Sequence, residues 1–196
     1  MGYAQLAQRK VDPESPVARH LAIIEKETKR CKVIIENLLR FARKEKTKFT
    51  PTDVNCVILD ALTIVDHQLT INHVQIEKSL AEDLPMVNGN DNQLQQVLIN
   101  LMINAQQAMP EGGKVRLMTR ALPPHVEIRV SDTGIGIPKQ NQQKIFEPFF
   151  TTKPAGEGTG LGLSVSYGLL KEHGGELLVE SEEGAGTTFI LLIPAI

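Results

Sequence analysis

The apolar positions between residues 17 and 42 are spaced alternately by four and three residues. They are Val17, Leu21, Ile24, Thr28, Cys31, Ile35, Leu38 and Ala42. This is the heptad spacing of a helix that buries one stripe against other helices. Ser15 and Pro16 suit the N-cap and the first position of that helix, and residues 2–10 resemble the last turns of a preceding helix. The pattern therefore predicts a helical hairpin whose first arm is short.

A first arm of about ten residues is too short to cover a heptad stripe of this length. We therefore expect a second copy of the chain to complete a four-helix bundle, so the predicted assembly is a homodimer through the hairpin. Thr50 and Pro51 end the helical pattern, because a residue that precedes proline disfavours helical geometry. The predicted domains are a truncated dimerisation hairpin over residues 1–50 and a second domain over residues 51–196.

The second domain mixes helical and strand patterns. Asp53 can cap a helix whose apolar residues run from 54 to 65, and a longer helix carries an apolar face from 94 to 109. Strand patterns occur at 74–80, 115–117, 126–130, 176–181 and 187–193, and another helix is predicted over 162–173. This order predicts an α+β protein, a two-layer α/β sandwich with its helices on one face of the sheet.

Composition narrows the range of partners. A formal net charge of −2 gives no field that would hold nucleic acid, and an aromatic content of 4% without tryptophan argues against a base-stacking surface. No apolar run approaches the roughly 20 residues that span a bilayer, and Met1 is not followed by a secretory leader. Cys31 and Cys56 lack metal-ligand spacing and are interpreted as reduced core thiols. We therefore expect a cytoplasmic location, with no nucleic-acid partner and no membrane contact from this chain.

The longer helix carries a stripe of amide side chains. Asn100 and Asn104 are predicted on the face opposite the leucines, close to Gln93, Gln96 and Gln107. Plain exposure to solvent explains such a stripe. The alternative is a side-chain carbonyl that binds Mg²⁺ together with nucleotide phosphates.

Segment 131–138 directly follows a predicted strand and contains Asp132, Gly134 and Gly136. One interpretation is structural, with Asp132 capping a turn that the glycines permit. The other is chemical: the Asp132 carboxylate accepts the amino proton of a purine, and the glycines let the backbone lie against the ring.

Segment 156–163 has glycine at every second position and runs into a predicted helix. Backbone N–H groups at a helix start can hold a phosphate chain. The segment is not a Walker A loop, because no Lys-Ser/Thr pair follows the last glycine, and it is not a Rossmann turn, because no strand precedes it. The phenylalanine-rich segment 146–153 lies between the two glycine segments. Its phenylalanines are typical of core plugs, and Lys153 can reach a phosphate as a point charge.

These segments occur in the order and spacing of the N, G1, F and G2 boxes of sensor histidine kinases. The chain resembles this bacterial two-component family from Val17 to Pro194, within the superfamily of gyrase, Hsp90 and MutL. The resemblance implies a Bergerat-type fold with a mixed sheet, and ATP and Mg²⁺ as its ligands. The implied nucleotide-binding residues are Asn100, Asn104, Asp132, Gly134, Gly136, Ile137, Phe150, Thr151, Thr152, Lys153, Gly158, Thr159, Gly160, Leu161, Gly162 and Leu163.

The resemblance also implies individual roles. Asn104 is the implied Mg²⁺ ligand with Asn100 as its helper, and Asp132 is the implied partner of the adenine amino group. Gly134 and Gly136 are expected beneath the purine ring. The segment from Phe146 to Gly158 is the implied ATP lid, and Gly160 and Gly162 are expected at the phosphates.

The implied activity is transfer of the γ-phosphate of ATP to a histidine on the hairpin, for relay to an aspartate of a response-regulator receiver domain. By the same resemblance the phosphoacceptor lies about three helical turns upstream of Tyr3, outside this chain. His20 stands at the start of the second hairpin helix and is followed by Leu21 and Ala22, not by an acid. We therefore expect this chain to be unable to autophosphorylate. Whether a longer parent protein is membrane-anchored stays open.

Three other functions remain as alternatives. An ATP hydrolase of the superfamily needs a general base four residues before the Mg²⁺-binding asparagine, and Asn100 cannot accept a proton there. A serine kinase or anti-sigma switch on the same fold is disfavoured by the heptad hairpin. A module that binds ATP without turnover describes the isolated chain.

Overall fold

The computed structural model describes residues 2–8, 11–12, 15–28, 48–154 and 158–196. Helix α1 spans Gly2–Gln8, and residues 16–28 are helical and form α2. The Ser15 hydroxyl accepts a hydrogen bond from the Ala18 backbone N–H at 3.1 Å, which confirms the predicted N-cap. Positions 31–42 of the predicted heptad stripe lie outside the described residues.

The second domain is built on a five-stranded mixed sheet. Its strands are β2 Val74–Ser79, β4 Gly113–Leu122, β5 His125–Asp132, β6 Glu176–Glu182 and β7 Gly186–Pro194. Their order across the sheet is β2-β4-β5-β7-β6. Strands β2 and β4 are parallel, and the remaining neighbours are antiparallel. A smaller sheet pairs β1, Thr50–Thr52, with β3, Val87–Gly89. The predicted α+β fold with a mixed sheet is confirmed.

Three helices cover one face of the sheet: α3 Val54–Ile71, α4 Asp91–Gln107 and α5 Gly162–Glu172. Asp53 caps α3 as predicted, because its carboxylate accepts from the N–H groups of Asn55 and Cys56. Fully buried apolar side chains from both layers form the core. They include Ile58, Leu98, Leu101, Leu117, Ile128 and Leu191.

The other face of the sheet carries ion pairs on β2, β4 and β5 and apolar side chains on β6 and β7, among them Leu178 and Ile190. Glu77 pairs with Lys114 and Arg116 across β2 and β4. Glu127 in β5 is 3% exposed and is held by Arg120 and Arg129. Burial opposes ionisation of Glu127, but the two guanidinium groups keep the pKa of its carboxyl below the usual value. The ion pairs therefore occupy the part of this face that β2, β4 and β5 form.

Three features of the fold differ from the sequence-based expectations. The pairing of β1 with β3 and a short 3-10 helix, Lys144–Phe146, were not predicted. Cys56 is exposed, so its interpretation as a core thiol was wrong, because it lies on the outer side of α3; Cys31 lies outside the described residues.

Within the part of the chain that the structure describes, one helix, α3, is long and apolar enough to span a bilayer by those two criteria. Seven residues of α3, among them Ile58 and Ala61, are buried in the domain core. A core helix of this kind passes the same test, so the criterion is weak evidence for a membrane span.

Candidate functional site

Asn100 of α4 faces α5, Asn104 faces Lys153 of the candidate lid, and both are half-buried. Asn100 Nδ2 donates to the Ser166 hydroxyl of α5 at 2.9 Å. A Cβ placed on Gly162 would overlap the Asn100 amide oxygen, so the start of α5 packs directly on this side chain. The prediction that the amides lie opposite the leucines was therefore wrong: they flank the buried stripe at a helix–helix seam.

Lys153 joins the candidate lid to α4. Its ammonium group lies 3.5 Å from Asn104 Oδ1 and also donates to Gln107 Oε1. Burial lowers the pKa of Lys153 from its usual value. Two amide oxygens that hold one cation form a donor set of the oxygen type that Mg²⁺ prefers, so the residues present fit a magnesium ion beside Asn104.

Asp132 ends β5 and is 9% exposed. Its Oδ1 accepts from the backbone N–H groups of Gly134 at 2.9 Å and Thr187 at 3.2 Å. Among the residues that the structure describes, no donor contacts Oδ2, which leaves that oxygen for a ligand. Burial raises the pKa of the Asp132 carboxyl and outweighs the opposing effect of the two N–H groups.

The two glycines after Asp132 are required by close backbone contacts. A Cβ on Gly134 would lie 2.6 Å from the Ala108 carbonyl oxygen. Gly136 has a φ of +70°, and a Cβ there would overlap the Glu182 carbonyl oxygen. The Ile135 N–H also donates to Ala108 O at 3.0 Å. These contacts bind the segment to the end of α4, the same helix that presents Asn104.

Ile137 continues this segment. Its backbone N–H donates to the Ser181 hydroxyl at 2.8 Å, and its half-buried side chain packs against the core. A depression of about 340 Å³ opens beside Asp132 and is lined by β6, β7 and the turn between them. Asn100 and Asn104 do not line it. The structure thus separates an Asp132 end and an Asn104 end, which α4 connects.

The lid is closed at its base by a backbone hydrogen bond between Phe149 and Gly160. Phe149 N–H donates to Gly160 O at 2.8 Å, and both residues have positive φ, +68° and +65°. Phe146 and Phe150 pack against the core, whereas Phe149 is 61% exposed. The core-plug interpretation is therefore confirmed for the first two and wrong for Phe149, which the strained turn directs outward.

The remaining predicted residues lie in the loop that leads into α5 and in its first turn. Thr151 Oγ1 accepts from Lys153 N–H at 3.2 Å and lies against Gly158, and Thr159 Oγ1 accepts from Leu161 N–H at 3.4 Å. Leu161 is buried, Leu163 packs against the core and Thr152 is exposed. Residues 155–157 of the lid and the glycine loop lie outside the described residues.

Two partners of the predicted residues were missed. Ser166, which is 2% exposed, fixes the Asn100 amide, and Thr187 donates to Asp132. Ser166 lies one turn after Gly162, and Thr187 pairs with Asp132 across β5 and β7. The first spacing is visible in the sequence, but the second requires the strand register.

Replacing Asp132 with asparagine is expected to stabilise the ligand-free protein near neutral pH. The pKa of Asp132 is raised in the fold, so the cost of its ionised form is fully present above that raised pKa. Below the unfolded-state pKa both states are protonated and the cost vanishes. Thermal unfolding should show a gain of about 1 kcal/mol, roughly 2–4 °C, near neutral pH, and no gain in strong acid. A variant that is less stable than wild type near neutral pH would contradict this.

Comparisons with known proteins identify the family of the chain. The model of the family described as "Histidine kinase-, DNA gyrase B-, and HSP90-like ATPase" matches residues 89–196. The chain is 38% identical over 194 residues, 98% of its length, to sporulation kinase E of Bacillus subtilis (strain 168), of which it spans 26%.

Solved structures give the same picture. The nucleotide-free catalytic domain of the histidine kinase ThkA matches with a TM-score of 0.68 and 32% identity, over 75% of this chain and 95% of that one. ThkA in complex with the response regulator protein TrrA matches with a TM-score of 0.77 and 29% identity, over 100% of this chain and 56% of that one. With its mixed sheet and its motif segments gathered around α4, the chain belongs to the histidine kinase-, DNA gyrase B- and HSP90-like ATPases, as an ATP-binding catalytic domain of the bacterial sensor histidine kinase type.

Proposed function

We propose that this domain binds ATP with Mg²⁺ and presents the γ-phosphate to a histidine on a dimerisation hairpin, as the catalytic part of a protein histidine kinase. The observation that carries the proposal is the arrangement around α4. One end of this helix is bonded to the Asp132 segment through Ala108, and its side presents Asn104 to Lys153. Helix α4 thereby sets the distance between Asp132, which recognises the base, and Asn104, which recognises the phosphates.

At the proposed adenine end, Asp132 Oδ2 accepts the amino proton of the purine. Oδ1 is held by Gly134 and Thr187, so the carboxylate is already oriented before the ligand arrives. Gly134 and Gly136 pack closely against the backbone of Ala108 and Glu182, and this packing fixes the chain that follows Asp132 beside the proposed ring. A guanine would present a carbonyl oxygen where adenine has its amino group, and two facing acceptors repel each other.

At the proposed phosphate end, Asn104 and Asn100 offer amide oxygens and Lys153 offers a positive charge. The backbone N–H groups of residues 158–163 lead into the start of α5, where the helix dipole favours an anion. Mg²⁺, when bound beside Asn104, neutralises charge on the phosphate oxygens. Ser166 keeps the Asn100 amide oriented by accepting from its Nδ2.

In the proposed transfer, an imidazole nitrogen of the hairpin histidine forms a bond to the γ-phosphorus. The bond between that phosphorus and the β,γ-bridging oxygen breaks, ADP leaves with the electron pair, and the imidazole proton passes to solvent. Position 100 carries an amide and not a carboxylate, so the chain offers no general base there to activate water. This favours transfer to histidine over hydrolysis.

The partners proposed for the parent kinase are a second copy of the chain and a response-regulator receiver domain, in the cytoplasm. Val17 and Ile24 of the heptad pattern are more than half exposed in the single chain, which supports a helical partner for α2. We further propose that residues 1–50 form the hairpin part and residues 51–196 the catalytic domain.

The adenine assignment is tested by ADP binding to the Asp132→Asn variant. An amide in place of the carboxylate loses a charge-assisted hydrogen bond, so we expect ADP to bind about ten- to a hundredfold more weakly. Isothermal titration calorimetry in Mg²⁺ buffer measures this.

The matched control is Asp60→Asn, which removes the same charge from the exposed side of α3 and should leave the affinity unchanged. Equal ADP affinities of Asp132→Asn and wild type would refute the role of Asp132. A wild-type protein that binds neither ADP nor ATP would refute the proposed function as a whole.

A further inference from the structure

His173 lies at a junction of three segments that are far apart in sequence. It is the C-cap of α5 and is 6% exposed. Its Nε2 lies 3.0 Å from the backbone N of Asn90, and its Nδ1 lies 2.8 Å from Leu169 O. Because the Asn90 N–H needs a lone pair on Nε2, the ring proton is on Nδ1 and is donated to Leu169. One imidazole ring therefore ties the end of α5 to the start of α4.

Asn90 extends this junction to the residues that precede β1. It is the N-cap of α4, and its Oδ1 accepts from Gln93 N–H at 3.0 Å. Its Nδ2 donates to the carbonyl oxygen of Lys48 at 3.3 Å. The same residue thus holds the first turn of α4, the ring of His173 and the backbone of residue 48.

Two more contacts attach residues 48–52, which we term the linker segment, to the same place. The Phe49 ring lies 4.8 Å from the His173 ring, at a tilt of 57°. The buried Thr52 hydroxyl donates to the carboxylate of Asp91, the first residue of α4. The linker segment is therefore bonded to the start of α4 at residues 48 and 52, which lie before and after Phe49 in the sequence.

The junction at His173 bears on the proposed phosphate site because α4 and α5 also meet there, through Asn100. Asn100 of α4 packs on Gly162 at the start of α5 and bonds to Ser166. The two helices thus touch at one point through Asn100 and at another through His173. A displacement of the linker segment that moved His173 or Asn90 would change the relative position of α4 and α5, and with it the spacing of Asn100 and Gly162.

We propose that His173 is a positioning residue that couples the linker segment to the nucleotide-binding helices, so that nucleotide occupancy and the anchoring of residues 48–52 depend on each other. The coupling is made by the His173 Nε2 lone pair, which accepts from the Asn90 N–H, and it is strengthened by the contact between the His173 and Phe49 rings. Only the dependence on nucleotide rests on the proposed function. The anchoring of the linker segment by His173 is a property of the protein without nucleotide.

The test uses the full chain with three single substitutions. His173→Phe keeps an aromatic face for Phe49 but has no acceptor for Asn90, and His173→Gln keeps an acceptor within reach. Phe49→Leu leaves both ring hydrogen bonds and removes the ring contact. Backbone amide hydrogen exchange of residues 50–52 is measured at the N–H groups of Thr50 and Thr52, because Pro51 has none, with and without ADP. The amides of residues 187–193 in β7 report on the fold as a whole.

We expect exchange at residues 50–52 to be about tenfold faster in His173→Phe than in wild type without nucleotide, with β7 unchanged. Saturating ADP should slow exchange at 50–52 in wild type and in His173→Gln, but not in His173→Phe. Phe49→Leu should show an intermediate acceleration, and this variant decides the matter if His173→Phe does not fold.

Wild-type exchange at 50–52 in both His173→Phe and Phe49→Leu would overturn the proposal. Equal acceleration in the Gln and Phe variants, with β7 also exposed, would overturn it as well, because His173 would then be a general packing residue. If wild type binds no ADP, the proposed function fails, while the comparison without nucleotide still decides whether His173 anchors the linker segment.

Discussion

Incubated with γ-labelled ATP and Mg²⁺, this chain alone is expected to acquire no acid-labile phosphate. Its histidines are His20, His67, His73, His125 and His173. Only His20 lies in a hairpin helix; it is exposed near the start of α2 and is followed by Leu21 and Ala22. A nucleophile for in-line transfer must reach the γ-phosphorus, and we assign that role to none of the five.

Added in trans, a separate helical hairpin that carries a histidine followed by an acid is expected to become labelled. Transfer should be slow, because the two parts are no longer held in one molecule and their effective concentration is lost. Label that is stable in alkali and released in acid identifies phosphohistidine. Such label on this chain alone would refute the assignment, and its loss in His20→Gln would locate the acceptor. An unlabelled hairpin, with ADP binding intact, would favour a module that binds nucleotide without turnover.

Alanine at Gly136 is expected to destabilise the fold by about 2–5 kcal/mol, because backbone strain and a steric clash both occur at this position. Gly136 has a positive φ, and its added Cβ would overlap the backbone oxygen of Glu182. Alanine substitutions at two other glycines measure the backbone strain apart from the steric clash. Gly184 also has a positive φ, +81°, but open space around its Cβ position, so alanine there should cost only about 1–2 kcal/mol. Chemical denaturation of the three variants measures the series.

Gly168 is the control, because alanine there causes neither backbone strain nor a steric clash. It lies inside α5, and nothing lies within 4 Å of its Cβ position. Alanine there should stabilise the protein by about 0.5–1 kcal/mol, since glycine weakens a helix interior. If Gly136→Ala and Gly184→Ala destabilise equally, the contact with Glu182 carries no energy and the segment beside Asp132 relaxes freely.

The fold was largely predictable because its signals are local. The cap at Asp53, the apolar stripe of α4 and the alternation in β5 each depend on neighbours within a few residues. Strands β1 and β3 were missed because three residues are too few to show a pattern, and each is defined only by its partner 30 or more positions away.

The candidate site was predictable in its residues but not in its contacts. Asp132 and Asn104 were chosen from motif order, whereas their partners Thr187 and Lys153 depend on register and loop closure. The amide stripe was placed on the wrong side of α4. Helical periodicity gives the positions of side chains around the helix axis, but it does not reveal on which side a neighbouring helix packs. The contact of His173 with Asn90 was not predicted, because the two residues lie 83 positions apart in sequence.

The interior place of β7 in the sheet has a consequence for biosynthesis. This last strand lies between β5 and β6, and its register sets Thr187 beside Asp132. A nascent chain that has emerged only as far as β6 holds the helices and most motif residues but has a gap in its sheet. We expect such a ribosome-bound intermediate to be an incomplete fold with open strand edges, so the domain should acquire its structure late, after translation has passed residue 194.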